Sequence, residues 1–468
     1  MKKVTILSRR RVVRSPIIIR SMVNRFFSLE AIGGILLLVF TIFSLVIANV
    51  PALECILDFF NTELSINLGN YFNLSMSLAY WINDGLMVLF FFTVGLEIKR
   101  EILVGELSSF KQASLPITTA IGGMVVPAII YAFCNASVPG QEDNGWGIPM
   151  ATDIAFAIGI ISLLGKRMPI SLIIFLTALA IVDDLGAIIV IAIFYPAHAL
   201  HFEMLLIALA VMALIYLFNI LRIRATVVYI IAGIALWLAI LESGLHATIA
   251  GVLLAIVIPI SAKHNPIKFL QRSKRVLSEI KVAQSKNKNK IIANEHQKEL
   301  VHNIQYEINQ AISPLQQYEY SLHPWVMYII MPLFALVNAG VKIDSVALSG
   351  LFSSISIGVF LGLFLGKPLG IMLLSWLSVK CKIAQLPREA TWGQLIGVGF
   401  MAGIGFTMSI FIANLAFTDE GLVSTAKLAI LITSLIAGII GILILRATSS
   451  KDYTEYNISE EEVNSQSN

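Results

Sequence analysis

The sequence predicts an all-α polytopic membrane protein with about twelve transmembrane helices, and three observations carry that prediction. The 468 residues are 57% hydrophobic and only 13% charged, about half the charge of an ordinary soluble domain, with a mean hydropathy of +0.83. Apolar runs long enough to cross a bilayer, roughly 20 residues each, recur along the chain. The segments between them alternate between basic and acidic, as the positive-inside rule expects of an even number of spans with both termini cytoplasmic.

In chain order, residues 1–30 form a basic cytoplasmic arm with Lys2, Lys3, Arg9, Arg10, Arg11, Arg14, Arg20 and Arg25. The apolar run Ala31–Val50 behind it is too long for a cleaved signal and reads as a retained first helix. Residues 31–446 form the transmembrane domain. Within it, residues 51–77 are an outside (periplasmic) loop in which Glu63 to Met76 alternates apolar and polar around Gly69-Asn70, the pattern of a β-hairpin. The edge of this 63–76 hairpin can pair with a second copy to make a homodimer, or the hairpin can fold back on its own chain. The remaining spans are Leu78–Ile98, Leu115–Phe133, Met150–Gly165, Ile170–Tyr195, Met204–Leu221, Thr226–Leu241, His246–Ile260, Trp325–Val341, Leu351–Val379, Trp392–Phe417 and Leu422–Leu445.

The loops with Lys99, Arg100 and Lys111, with Lys166 and Arg167, with Arg222 and Arg224, and with Lys380, Lys382 and Arg388 are basic. The alternate ones hold Glu54, Asp58 and Glu63, then Glu142 and Asp143, then Glu203, Glu242, Asp419 and Glu420. A polar, Lys-rich cytoplasmic connector, 262–322, separates the eighth and ninth spans. It reads as a solvated linker with a loose amphipathic helix near Phe269–Ile280, and its basic residues suit anionic lipid headgroups. The tail 447–468 is polar, acidic and expected to be disordered. Cys55, Cys134 and Cys381 are far apart and suggest neither a disulfide framework nor a metal site.

The chemistry lies in the charges that remain inside the spans. Asp183 and Asp184 are adjacent in an otherwise apolar segment. A carboxylate at the bilayer centre is costly, and a neighbouring one adds repulsion, so the pair points to binding of a cation, a proton or both. On a helix they lie about 100° apart; one can face a cavity while the other meets a partner helix. Thr152-Asp153, bracketed by Pro149 and Gly159, sits where a break in the helix would free backbone carbonyls. Hydroxyl, carboxylate and carbonyl oxygens together suit Na⁺ or Li⁺. Lys367, mid-span against Gly366 and Pro368, is the expected ion-pair partner of Asp183. Gly397, Gly399, Gly403 and Gly405 make the eleventh span a weak helix that permits close crossing, the natural partner of the Thr152-Asp153 break. Glu97, Arg100, Glu101, Glu319 and His323 cluster at cytoplasmic span ends, where they either draw in cations and respond to pH or form plain surface ion pairs.

These motifs resemble the NhaA-type Na⁺/H⁺ antiporters. The resemblance is carried by WINDGLM at Trp81, GLEIKRE at Gly95, ATDIAFAIG at Ala151, ALAIVDDLGAI at Ala178, HATIAGV at His246, LHPWV at Leu322, PLFALVNAGV at Pro332, GKPLG at Gly366 and GIGFTMSIFIA at Gly403. They run in order through nearly the whole membrane part. The resemblance implies inverted repeats with two interrupted, crossing helices. It implies that Asp183 and Asp184 bind Na⁺ or Li⁺ and protons, and that Asp153 and Thr152 balance charge at the break. Lys367 is then the counter-ion, and Glu97, Arg100, Glu101, Glu319 and His323 form the pH-response region. It further implies a non-enzymatic, electrogenic, pH-regulated exchanger of the bacterial inner membrane, with no cofactor and no nucleic-acid partner. Tyr320 stands where some members have a histidine, and the connector is longer than usual.

Three alternatives weigh less. Sodium-coupled uptake of an organic anion would need an anion pocket that the sequence does not show. An intramembrane aspartyl protease needs carboxylates on separate helices, usually with a GxGD motif, which is absent. A channel needs a filter or a ring of pore charges.

Overall fold

The computed structural model describes residues 16–449 apart from 69–71, 137–140, 163, 165–167, 263–271, 273–274, 277 and 280–294. The expectations for residues 1–15, the hairpin tip, most of the connector including much of the 269–280 segment, and the tail from 450 lie outside the described residues.

The first helix, α1 (Pro16–Asn49), runs through the boundary expected at residue 30. A short helix, α2 (Glu54–Phe60), leads to strands β1 (Glu63–Leu68) and β2 (Phe72–Ser77). They pair antiparallel with Glu63 opposite Ser77 and Leu68 opposite Phe72, the hairpin expected from the alternation. The Ser77 side chain then accepts from Tyr80 N at 3.2 Å and starts the next helix. That helix, α3, is Leu78–Tyr80, a π turn Trp81–Leu86 and Met87–Val104 in continuous helical backbone.

There follow α4 (Phe110–Asn135), α5 (Ile154–Ser162), α6 (Ile170–Phe194), α7 (Phe202–Ile220), α8 (Thr226–Glu242) and α9 (Ile249–Val257). Beyond the connector come α10 (Glu295–Ala311), α11 (Pro314–Asn338, with a π turn at Val326–Ile330) and α12 (Ser354–Lys380, with a π turn at Gly362–Gly366). Three more close the chain: α13 (Trp392–Ala402), α14 (Phe406–Ala416) and α15 (Glu420–Thr448).

Among the described residues, eight helices are long and apolar enough to cross a membrane, and the α13–α14 pair, bent by 44°, brings the number to nine. The other three expected spans are helical but fall short of that standard. α3 carries Glu97, Lys99, Arg100 and Glu101 in its last turns, α8 has 17 residues, and α9 only 9. At 1.5 Å per residue, α9 covers about half of a hydrocarbon core ~30 Å thick. The chain is a multi-pass, all-α membrane protein whose lipid-facing surface is lined with exposed side chains such as Ile129, Leu206, Ile231 and Leu443.

The tightest crossing positions the site. A methyl group added at Gly122 of α4 would collide with the Gly370 carbonyl of α12, and one added at Gly370 with the Gly122 carbonyl. Backbones that approach this closely are the signature of small residues at membrane helix interfaces. The adjacent Gly123 faces the stem of Lys367: an added Cβ there would be 3.8 Å from Lys367 Cε. The lysine is thereby held inside the bundle, away from its surface. One expectation differs: Glu295–Ala311, read from sequence as part of a linker, is a 17-residue helix.

Candidate functional site

Two helices are broken, and the breaks touch. A 3₁₀ segment, Gln141–Met150, enters the membrane ahead of α5, with non-helical backbone at Ala151–Asp153. Gly403–Gly405 separates α13 from α14. Asp153 N donates to Ile404 O at 2.7 Å, and Ser409 Oγ donates to Ile148 O at 2.7 Å. The backbone groups freed by the breaks therefore satisfy one another inside the protein, which is what lets irregular backbone persist at this depth.

Asp153 sits where two helices start. Its Oδ1 accepts from Phe156 N of α5 at 3.0 Å. Its Oδ2 accepts from Thr407 N of α14 at 3.1 Å and from the Thr407 hydroxyl. One carboxylate caps two N-termini and offsets the partial positive charge of both helix dipoles. Both its oxygens are engaged in that way. It also lines the cavity described below.

Thr152, Lys367 and Asp183 form a closed polar knot, none more than 1% exposed. Lys367 Nζ lies 2.9 Å from Asp183 Oδ2, donates to Thr152 Oγ1 at 2.6 Å, and donates to Met150 O. Thr152 Oγ1 is 2.7 Å from Asp183 Oδ2 and 3.0 Å from Ala402 O. The ammonium uses its three donors on a carboxylate, a hydroxyl and a carbonyl of the broken segment. That satisfies a buried charge which would otherwise be prohibitive.

Asp184, one residue on, faces the other way. It lines a cavity of about 50 Å³ together with Thr152, Asp153, Thr177, Glu97 and His323. That volume admits a few waters or a cation with part of its hydration shell. Asp183 Oδ1 and Asp184 Oδ1 are both buried with no hydrogen-bond partner among the described residues. These two oxygens, with the Thr152 hydroxyl nearby, are hard donors of the kind that hold Na⁺ or Li⁺.

At the far end of the cavity Glu97 and His323 are part-exposed and form its mouth. Beside it, Arg100 Nε lies 2.9 Å from Glu319 Oε1, and the guanidinium contacts Glu101 and lies 3.9 Å from Glu97. Glu101 Oε2 also accepts from Glu106 N at 2.9 Å. All ten residues singled out from the sequence thus fall into two joined groups, five at the crossing and five at the mouth. Two others were not singled out. Thr407 holds Asp153, and Lys99 donates to the carbonyls of Ile256 and Ile258 where α9 ends. The signal for Thr407 was its place just after Gly403 and Gly405, matching Thr152 at the first break.

Broken helices crossing at a buried ionisable centre define the secondary-transporter class of membrane protein. Residues 24–445 match the family described as Na⁺/H⁺ antiporter 1, and the chain belongs to that family. Among its relatives, a protein named Na(+)/H(+) antiporter NhaA from Oleidesulfovibrio alaskensis is 48% identical over 423 residues, 90% of this chain and 93% of that protein. One of the same name from Koribacter versatilis is 45% identical over 435 residues, 93% of each chain. One from Helicobacter pylori is 46% identical over 431 residues, 92% of this chain and 96% of that protein.

Proposed function

We propose that the chain exchanges Na⁺ or Li⁺ for H⁺ across the bacterial cytoplasmic membrane, with both termini cytoplasmic. The observation that carries this reading is the pair Asp183–Asp184. The two carboxylates are adjacent and buried, one is tied to Lys367 and the other lines the cavity, and each has an oxygen without a partner among the described residues.

With Asp183, Asp184 and Lys367 all ionised, the knot carries one net negative charge. One Na⁺ cancels it; protons settle on the same two carboxylates, so the two ions compete for the same oxygens, and protonating both Asp183 and Asp184 takes up two protons. Na⁺ enters from the Glu97–His323 mouth and binds Asp184 and Asp183, loosening Asp183 from Lys367. The loaded crossing then reorients, and protons displace Na⁺ on the opposite side. With more than one proton returning per sodium, each turn moves positive charge inward, and the membrane potential, about 2.3 kcal/mol per charge per 100 mV, drives sodium out. Asp153 keeps both helix N-termini neutralised while the ion comes and goes. The Arg100 cluster with His323 sets the pH range. Two copies associate through the 63–76 hairpin, and connector lysines rest on lipid headgroups.

The test is proton movement in reconstituted vesicles, read as recovery of a pH-gradient dye after adding Na⁺, Li⁺ or K⁺ across a pH series. Na⁺ and Li⁺ are expected to dissipate the gradient and K⁺ to leave it. Asp183→Asn with Asp184→Asn should abolish the response while leaving membrane insertion intact. A sodium response of wild-type size in that double variant sinks the proposal.

A further inference from the structure

The cavity has polar groups between its two ends as well as at them. Glu97 and His323 stand at the mouth, and Thr152, Asp153 and Asp184 at the crossing. Among the described residues, the remaining polar side chains of the lining are Thr93 and Thr177. The wall around them is apolar, with Phe90, Val94, Ile158, Val326 and Met327.

The two threonines lie between the mouth and the carboxylates. α6 enters from the mouth side, and Thr177 precedes Asp184 by seven residues. It therefore shares a face with Asp184 and sits about 10 Å nearer the mouth. α3 runs the opposite way, and Thr93 precedes Glu97 by four residues. It shares a face with Glu97 and sits about 6 Å deeper. Their hydroxyls are used alike. Thr93 Oγ1 donates to Leu89 O at 2.9 Å, and Thr177 Oγ1 donates to Ile173 O at 3.0 Å. Each proton is committed to the threonine's own helix, so each oxygen serves the cavity as an acceptor only.

We propose that Thr93 and Thr177 are a waystation for the alkali cation on its way from Glu97 to Asp184. The inference rests on the transport reading above and adds the step between the mouth and the carboxylates. A cation on this path would otherwise cross an apolar stretch, and apolar constrictions lose their water. Water in a cavity needs two to four polar partners. Waters held on the two threonines give hydrogens to their oxygens and turn lone pairs to the cation. The station is neutral, so it replaces lost hydration without a charge that would trap the ion. An anion finds no donor on it. The smaller cation gains most, because it gives up its water more reluctantly, as Mg²⁺ does beside Ca²⁺.

Valine is close to threonine in shape, and a back-bonded hydroxyl adds nothing to helix stability, so the substitution tests the oxygens. In reconstituted vesicles, Thr93→Val with Thr177→Val should slow the response to saturating Na⁺ at least fivefold and the response to Li⁺ at least fifteenfold. Equilibrium Na⁺ binding, followed calorimetrically in detergent, should stay within twofold. Serine at both positions keeps the hydroxyls and should bring back at least half of each rate. Water in the passage is read separately, by radiolytic hydroxyl-radical labelling. Oxidation of Met331 and Met408, which line the deeper part of the cavity, should fall at least threefold in the valine pair and return in the serine pair. Should the valine pair not be monodisperse, each single valine variant is held to twofold losses of rate and labelling. Unchanged rates or unchanged labelling in the monodisperse valine variant overturn the waystation. So does a serine pair as slow and as dry as the valine pair, which would assign the effect to shape. A slower response that comes with tenfold weaker Na⁺ binding also overturns it, by placing the threonines in the binding site itself. A wild type without any sodium response would sink the transport reading, and the labelling would still decide whether these two hydroxyls keep the passage wet.

Discussion

Two neighbouring carboxylates have been given different surroundings by the turn of one helix. Asp183 looks towards α12 and is paired with Lys367; Asp184 looks into the cavity. Removing one partner of a buried pair costs about 3–5 kcal/mol, because the other charge stays buried alone. Asp183→Ala is therefore expected to lower the thermal unfolding midpoint strongly, measured in detergent by loss of the monodisperse peak. Adding Lys367→Met should restore most of that stability without restoring exchange. Equal destabilisation in the single and the double variant would mean that Asp183 and Lys367 do not depend on each other. These residues were legible in the sequence because an ionisable group inside an apolar run needs a reason to be there. Thr407 was only half legible: its place after Gly403 and Gly405 put it at the break but did not name its partner. A threonine in a membrane helix usually bonds back to its own backbone, as Thr93 does to Leu89 and Thr119 to Leu115. Only the fold shows that Thr407 spends its hydroxyl on Asp153 instead.

Among the helices, the breaks could be anticipated and their surroundings could not. Pro149 and the run of glycines from Gly397 to Gly405 announce two weak helices. That the two breaks satisfy each other depends on the third dimension, through Asp153 N to Ile404 O. The π turns ahead of Lys367 and after Trp325 follow no residue pattern, since an i→i+5 bond leaves none. The helix Glu295–Ala311 escaped notice because it is polar and offers no apolar run. Two predictions belong to this scale. Gly370→Ala drives a methyl into the Gly122 carbonyl, so α4 and α12 must part at a cost of about 1–3 kcal/mol. The protein should unfold at lower temperature and exchange more slowly, since Lys367 rides on α12; an unchanged midpoint and rate would show the crossing to be slack. Glu319→Gln removes one negative charge from the Arg100 cluster that joins α3 to α11. The mouth then concentrates protons less, so half-maximal exchange should move to more acid pH while the peak rate stays within about twofold. A profile superimposable on the wild type would remove the cluster from pH control.

For the whole molecule the open question is association, and the hairpin register makes it testable. Leu78 N donates to Thr62 O at 3.0 Å, just below the Glu63–Ser77 pair. In an antiparallel ladder bonded and non-bonded pairs alternate. The pairs Leu64–Met76 and Ile66–Leu74 therefore bond inward, while Ser65 and Ser75 point their backbone N–H groups away from the partner strand. A two-stranded ribbon is marginal by itself and carries an open edge on each side. Proline removes an N–H and blocks strand addition without touching the inward bonds. Ser65→Pro and Ser75→Pro should each leave the hairpin attached through Trp81 Nε1, which lies 3.3 Å from Leu64 O. If two copies join edge to edge here, at least one of these variants should run as a monomer in native mass spectrometry from detergent. It should still exchange sodium, because the hairpin supplies no residue of the crossing or of the cavity lining. Dimers persisting in both variants would place the contact between copies elsewhere. A monomer that had lost exchange would show that the crossing needs its partner after all.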